Sequence, residues 1–443
     1  MKTRLLNIWG YISSSFWFIP AVMVMTAVLL SFAMIALDTH INLEQSRLYD
    51  LLYSGGPDGA RAILSTIAAS MITVAGVVFS ITIVALTLAS SQFGPRLLRN
   101  FMQSTSTQVV LGTFISTYIY CLLILRHVFA GDNGALTLNL SVSLAIAMAL
   151  AGVIVLIYFI HHVSTSIQAD HVIDVVYREL LDHLQRLFPE RDDPGDEADP
   201  RKPPADEGMF ERYPVKTPVF AGEDGYLQAI DRSGLKNIAT ENDLLLEIHY
   251  RAGHNIISGS TLVTVHSDKA VDTDLLGRMP DAFIVGYRRT PEQDIEFAVN
   301  QLVEVAVRAL SPGINDPYTA IACIDRLGAA LCHLAKREFP SGCERDEHGN
   351  PRVISKAVTY SGVVNTAMDQ VRQYGRDSVA VSIRLIEVLA DVAACARTAE
   401  HRQAIARQAE MIMSAGEAAL PERHDIADVR NRYERLLSTL AAD

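Results

Sequence analysis

Between Ser70 and Pro95 the chain reads SMITVAGVVFSITIVALTLASSQFGP, without one charged side chain, and the first charges to follow are Arg96 and Arg99. Nothing else in the sequence narrows the fold as much. A run of this length must be buried in protein or in lipid, and in hydrocarbon its backbone groups can be satisfied only within a helix or a closed barrel. Three further stretches have the same character, so four spans are expected, over residues 16–37, 62–91, 105–125 and 138–160. No small-residue cleavage site follows the first, which therefore reads as a span and not as a leader.

The charges around these stretches fix an expected orientation. Lys2 and Arg4 precede the first span, and Arg96 and Arg99 lie between the second and third. The segment between spans one and two holds Asp38, Glu44, Asp50 and Asp58 against Arg47 and Arg61. The positive-inside rule then places both termini in the cytoplasm. Trp9, Tyr11, Phe16 and Trp17 would form an aromatic belt at the inner interface. Arg126 and His127 close span three near the outer face, within snorkelling reach of it. No acidic residue falls at a span centre, which argues against a carrier driven by a proton or sodium gradient.

The second span is unusual. Its roughly 30 uncharged residues would extend about 45 Å as a helix, more than the hydrocarbon needs. Thr66, Thr73, Ser80 and Thr87 recur every seven residues along one face, flanked by Ala62, Ala69, Gly76 and Ser90. A second small row, Ala68, Ala75, Thr82 and Ala89, lies nearly opposite. Two explanations stand. Small and hydroxyl residues let membrane helices pack closely, and the same residues tolerate water at a pore wall. On the second view Thr66, Thr73, Ser80 and Thr87 are pore-lining candidates around an oligomer axis. Gly94 suits a helix cap and Pro95 a new first turn. Arg96 and Arg99 beyond them are read as lipid-headgroup anchors or as a basic inner mouth.

Residues 162–443 carry 31 basic and 45 acidic side chains, a composition that argues against nucleic acid as the main partner. Helical periodicity runs on from span four through 162–188. Its histidines lack metal-ligand spacing, and no metal or other cofactor is expected. Residues 189–212 form an acidic, proline-rich linker. The segments GYLQAID, NDLLLEIHY, RAGHNIISGSTLVTVHS and AFIVGYRRT then read as strands of a small β-barrel-like module over 213–290. RAGHNIISGSTLVTV resembles the strand–Gly–strand step of biotinyl/lipoyl barrels, but no lysine occupies a hairpin tip for attachment of such a group. Residues 291–443 read as helical. Ile295, Ala298, Val299, Leu302, Val305, Ala306 and Ala309 form a core stripe, with Glu296, Asn300, Glu304 and Arg308 on the polar side. The fold class expected is thus an α-helical integral membrane protein with a cytoplasmic α+β region.

In SPGINDPYT, Pro312 and Gly313 stop one helix, Asp316 is placed as the cap of the next and Pro317 as its first residue. This is either a helix–turn–helix boundary or a site at which Pro312, Gly313, Asn315 and Asp316 meet a ligand, ion or second subunit. The five cysteines form no CxxC pair and read as reduced thiols.

Two segments carry a family resemblance. FSITIVALTLASSQFGPRLLRNF together with QLVEVAVRALSPGINDPYTAIACIDRL resembles the bacterial predicted membrane proteins grouped as domain of unknown function 2254. The resemblance implies four N-terminal spans and a cytoplasmic domain in the bacterial plasma membrane, and it assigns no activity. No GxSxG, HExxH, Walker A or GxGxxG motif is present, so no catalytic residues are named and an enzyme is not expected. Two functions remain. One is a homo-oligomeric channel or pore-like transport protein for a small ion, with the lipid bilayer and further copies of the chain as partners. The other is a membrane-anchored scaffold or sensor.

Overall fold

The computed structural model describes residues 17–40, 56–94, 105–130, 138–190 and 210–442. They divide into two compact units, Met1–His171 and Val172–Asp443.

The N-terminal unit is a bundle of four helices: α1 (Phe18–His40), α2 (Pro57–Phe93), α3 (Thr105–Ala130) and α4 (Asn139–Ser166). All four have the length and apolar composition needed to cross a bilayer. Their outer surfaces carry Met25, Leu29 and Phe32 on α1, Val77 and Val84 on α2, and Leu150, Ile154 and Ile157 on α4, all exposed. Water would not tolerate an apolar surface this extensive, whereas acyl chains would. The α3 helix packs against the other three. Gly112 makes its approach to α1 possible, because a Cβ there would meet Met23 Sδ at 2.5 Å and Pro20 Cα at 3.3 Å. Small residues serve this purpose between membrane helices, where close van der Waals packing replaces the hydrophobic drive. Tyr120, Ile124, Leu64 and Val142 fill one end of the bundle, and Met71, Val110, Phe114 and Phe159 the other.

The periodicity expected to run on from span four is interrupted. The α4 helix ends at Ser166, and α5 (Ala169–Leu187) starts afresh after Ile167 and Gln168. In α5, Val172, Ile173, Val176, Leu180 and Leu184 are buried at helical spacing, and Leu184 lines a small apolar cavity together with Val299, Leu331 and Val363 of the later helices. It therefore belongs to the core of the C-terminal unit.

Eight strands follow, namely β1 (Val215–Phe220), β2 (Gly225–Ile230), β3 (Leu245–Ile248), β4 (Asn255–Ile256), β5 (Thr261–Ser267), β6 (Phe283–Gly286), β7 (Cys343–Arg345) and β8 (Pro351–Ser355). They form two open sheets, ordered β1-β5-β3-β8-β7 and β4-β2-β6, and among the described residues no barrel closes. The barrel-like module is thus replaced by a pair of sheets with α6 (Arg232–Glu241) packed beside them and α7 (Thr273–Arg278) in the connection to β6. Leu227, Leu235, Leu246, Ile256, Val263 and Val353 share their core. Two of the strands, β7 and β8, lie within the segment read as helical, and β8 pairs parallel with β3 through Leu246 and Val353.

The remaining helices are α8 (Ile295–Ala309), α9 (Pro317–Ala335), α10 (Tyr360–Gly375), α11 (Val379–Ala393), α12 (Ala399–Ala419) and α13 (Arg423–Ala442). The seven-residue stripe expected on α8 is buried throughout. Its polar side, Glu296, Asn300, Glu304 and Arg308, is half-buried, because α9 and α10 both pack on this helix.

Candidate functional site

The α2 helix has two small rows, and the bundle uses only one of them. Ala68, Ala75 and Ala89 are buried against the other helices, with Thr82 half-buried beside them. Thr66, Thr73, Ser80 and Thr87 all lie on the exposed face, together with Ala62, Ala69, Ser70 and Gly76. A Cβ at Gly76 would meet nothing within 4 Å. Three of the hydroxyls donate to their own helix: Thr66 to the Ala62 carbonyl at 2.7 Å, Thr73 to Ala69 at 2.8 Å and Thr87 to Ile83 at 2.9 Å. Their protons are thereby satisfied without water, while each oxygen can still accept a bond. The interior of the bundle is mostly apolar among the described residues. Its buried polar side chains, Ser31, Thr107, Gln108, Ser116, Thr117 and Ser141, carry no charge, among the described residues. Arg96 and Arg99 lie outside the described residues.

The turn after α8 is in the C-terminal unit and is built as its residues dictate. Asn315 takes a left-handed φ of 51° and its N–H donates to Ser311 O at 2.8 Å, while the Asp316 N–H returns to Ala309 O at 2.8 Å. The Asp316 carboxylate caps α9, accepting from the Thr319 N–H at 3.1 Å and from the Thr319 hydroxyl at 2.6 Å. These bonds, the hydroxyl's first, hold the Asp316 carboxyl below the usual aspartate range. Pro312, Gly313 and Asn315 are exposed, as are Ile314 at 42% and Tyr318 at 81%. The carboxylate on which a ligand role was considered is therefore engaged in capping.

Two polar constellations were not anticipated. At one end of the bundle Asp38 of α1 caps α4. Its carboxylate accepts from the N–H of Leu140 at 2.9 Å and of Ser141 at 3.0 Å, and from the Ser141 hydroxyl. Tyr120 of α3 donates to the Ser141 carbonyl at 3.1 Å, so three helices meet at one polar knot. From sequence Asp38 counts only as a loop charge. The available signal is a helix beginning at Asn139 that lacks a side-chain cap of its own.

The second constellation joins the connection between β3 and β4 to the start of α8. Arg251 donates to both carboxylate oxygens of Glu296, at 2.8 and 2.7 Å. Arg289 reaches Asp294 Oδ2 through Nε at 2.9 Å and Nη2 at 2.6 Å. Asp294 Oδ1 accepts from the Phe297 N–H at 3.0 Å and so caps α8. Burial lifts the Asp294 carboxyl above its ordinary range against the pull of Arg289, and burial, reinforced by Arg251, depresses His254. Gly253, at φ +91°, turns the β3–β4 connection directly over this carboxylate, where a side chain would collide with it. The charges are paired internally, which makes this a structural joint.

Comparison with known proteins places the chain among predicted membrane proteins. Uncharacterized proteins of Mycobacterium bovis and Mycobacterium tuberculosis are 31% identical to the chain over 436 residues, covering 97% of it and 81% of each relative. No solved structure matches the chain. The sequence profile described as predicted membrane protein, domain of unknown function 2254, matches residues 13–391. With that profile spanning most of its length and four helices able to cross a bilayer, the chain belongs to the predicted membrane protein family named domain of unknown function 2254.

Proposed function

We propose that the protein is a homo-oligomeric membrane channel or pore-like transport protein in which the hydroxyl face of α2 lines or flanks an axis between subunits. The C-terminal unit acts on this reading as a cytoplasmic regulatory domain. One observation carries the proposal: Thr66, Thr73, Ser80 and Thr87 face outward from a bundle whose buried polar side chains are all uncharged, among the described residues. A route for a small ion would then run between copies and not through one. Hydroxyl and small side chains at such an axis accept water without the barrier of a charge.

A second reading, a membrane-anchored scaffold or sensor, is favoured by the bonds from Thr66, Thr73 and Thr87 to their own carbonyls, which let this face pack or meet lipid dry. Thr73→Cys and Ser80→Cys in a Cys121→Ala background separate the two. Both cysteines should react with membrane-impermeant thiol reagents, and reconstituted protein should pass ions that Ser80→Phe blocks. Inert cysteines together with ion-tight liposomes would transfer the case to the scaffold.

A further inference from the structure

The Cys332 and Cys395 thiols come together from distant parts of the chain. Cys332 is on α9, and Cys395 follows the end of α11 in the short connection to α12. Helix α11 closes with a tightened last turn, in which the Cys395 N–H bonds to Val392 O at 3.0 Å. The helical acceptor for that N–H would have been the carbonyl four residues back, Asp391 O. This carbonyl instead receives the Cys332 thiol, at 3.6 Å. A thiol from one helix thus caps a carbonyl of another, one turn before Cys395, whose thiol lies within interaction range of Cys332. Both residues are half-buried, so small reagents can reach them. The other cysteines of the C-terminal unit differ: Cys323 is fully buried, and Cys343 lies in β7.

We propose that Cys332 and Cys395 form a reversible dithiol–disulfide site, oxidised by low-molecular-weight disulfides, that clasps α9 to the α11–α12 connection. Burial, and after it the interaction with Cys395, pushes the Cys332 thiol up to about 12, so Cys332 is protonated at neutral pH and a poor first nucleophile, and the first attack is assigned to Cys395. The Cys395 thiolate attacks the reagent disulfide, forming a Cys395 mixed disulfide and releasing one small thiolate. The Cys332 thiol then loses its proton and attacks the Cys395 sulfur, and the second small thiolate departs. The protein is oxidised by two electrons, the reagent disulfide is reduced to two thiols, and these carry away the two protons. The new bond joins two sulfurs that already lie within interaction range.

The test uses the full chain in detergent, equilibrated in glutathione and glutathione disulfide at defined ratios, then alkylated and mapped by peptide mass spectrometry. The expected result is an intramolecular 332–395 link formed below the unfolding temperature. Two of the five cysteines lose alkylation together, and excess glutathione restores both. Cys332→Ser should accumulate glutathione on Cys395, having no resolving thiol, whereas Cys395→Ser should leave Cys332 unmodified in the same buffer. A folded wild-type protein that acquires glutathione elsewhere, with no 332–395 link, would overturn the proposal whether or not either variant folds. Equal glutathione loading of the two variants would overturn the order of attack and with it the site's asymmetry.

Discussion

Replacing Asp294 with alanine removes the cap of α8 and the partner of Arg289 in one step. The carboxylate is only 4% exposed and accepts three bonds, one from Phe297 N–H and two from Arg289. Loss of the cap costs about 1 kcal/mol. Breaking a fully buried ion pair costs about 3–5 kcal/mol, but the Arg289 side chain is 30% exposed and can turn to water, which reduces that share. Together these give about 2–4 kcal/mol for Asp294→Ala. Asp294→Asn keeps a capping oxygen and loses only the charge, at about 1–2 kcal/mol. For a unit of this size the alanine variant should melt roughly 5–12 °C lower.

The sign of the pH dependence also follows. Burial raises the folded Asp294 carboxyl above its ordinary value, so in that window the native state holds more protons than the unfolded one. Its contribution is complete below the ordinary aspartate value and declines as pH rises through the folded value. Asp294→Asn should remove this decline. The assay is thermal unfolding of the full chain in detergent, with hydrogen exchange of peptides from α8 and the β3–β4 connection to localise the loss. Alanine within a degree of wild type, or asparagine as damaging as alanine, would refute the account of a buried cap.

Three further outcomes are expected. Asp38→Ala should release the first-turn amides of α4, costing about 1–2 kcal/mol, seen as faster exchange at Leu140 and Ser141 with α2 unchanged. Gly112→Leu should force α1 from α3 and lower the melting temperature of the bundle, whereas Gly76→Ala on the open face of α2 should leave an isolated chain unaffected. At the α8–α9 turn, Asp316→Ala should cost about 1 kcal/mol and Asp316→Asn little. The Asp316 contribution should be present above the ordinary aspartate value and vanish as pH falls through its lowered folded value.

The helices were legible because each carries its own signal: uncharged length in α1 to α4, and spacing of three and four in α8. The α8–α9 turn was equally open to reading, since Asp316 and Pro317 each have one favoured place at a helix start. Strands β7 and β8 were not, because CER and PRVIS are short and polar and gain their pairing from Leu246 and Val353, far apart in sequence. Nor could sequence decide which small row of α2 faces inward. Both rows have the required size, and only Phe114, Tyr120 and Phe159 on neighbouring helices break the tie. The Asp38 knot was hidden for a related reason: a cap supplied by another helix has no local spacing.

The parallel pairing of β3 with β8 has a consequence for synthesis. As the chain leaves the ribosome, β3 emerges about a hundred residues before its neighbour, since Ile248 pairs with Ser355. Its far edge, with free N–H and C=O groups, must wait through the translation of α8 and α9, several seconds at about 5–20 residues per second. During that interval the nascent chain presents an unpaired strand, the element most prone to pairing with a stranger. A ribosome stalled soon after Ala335 should therefore hold an aggregation-prone, chaperone-bound intermediate, and one stalled far enough beyond Ser355 should not.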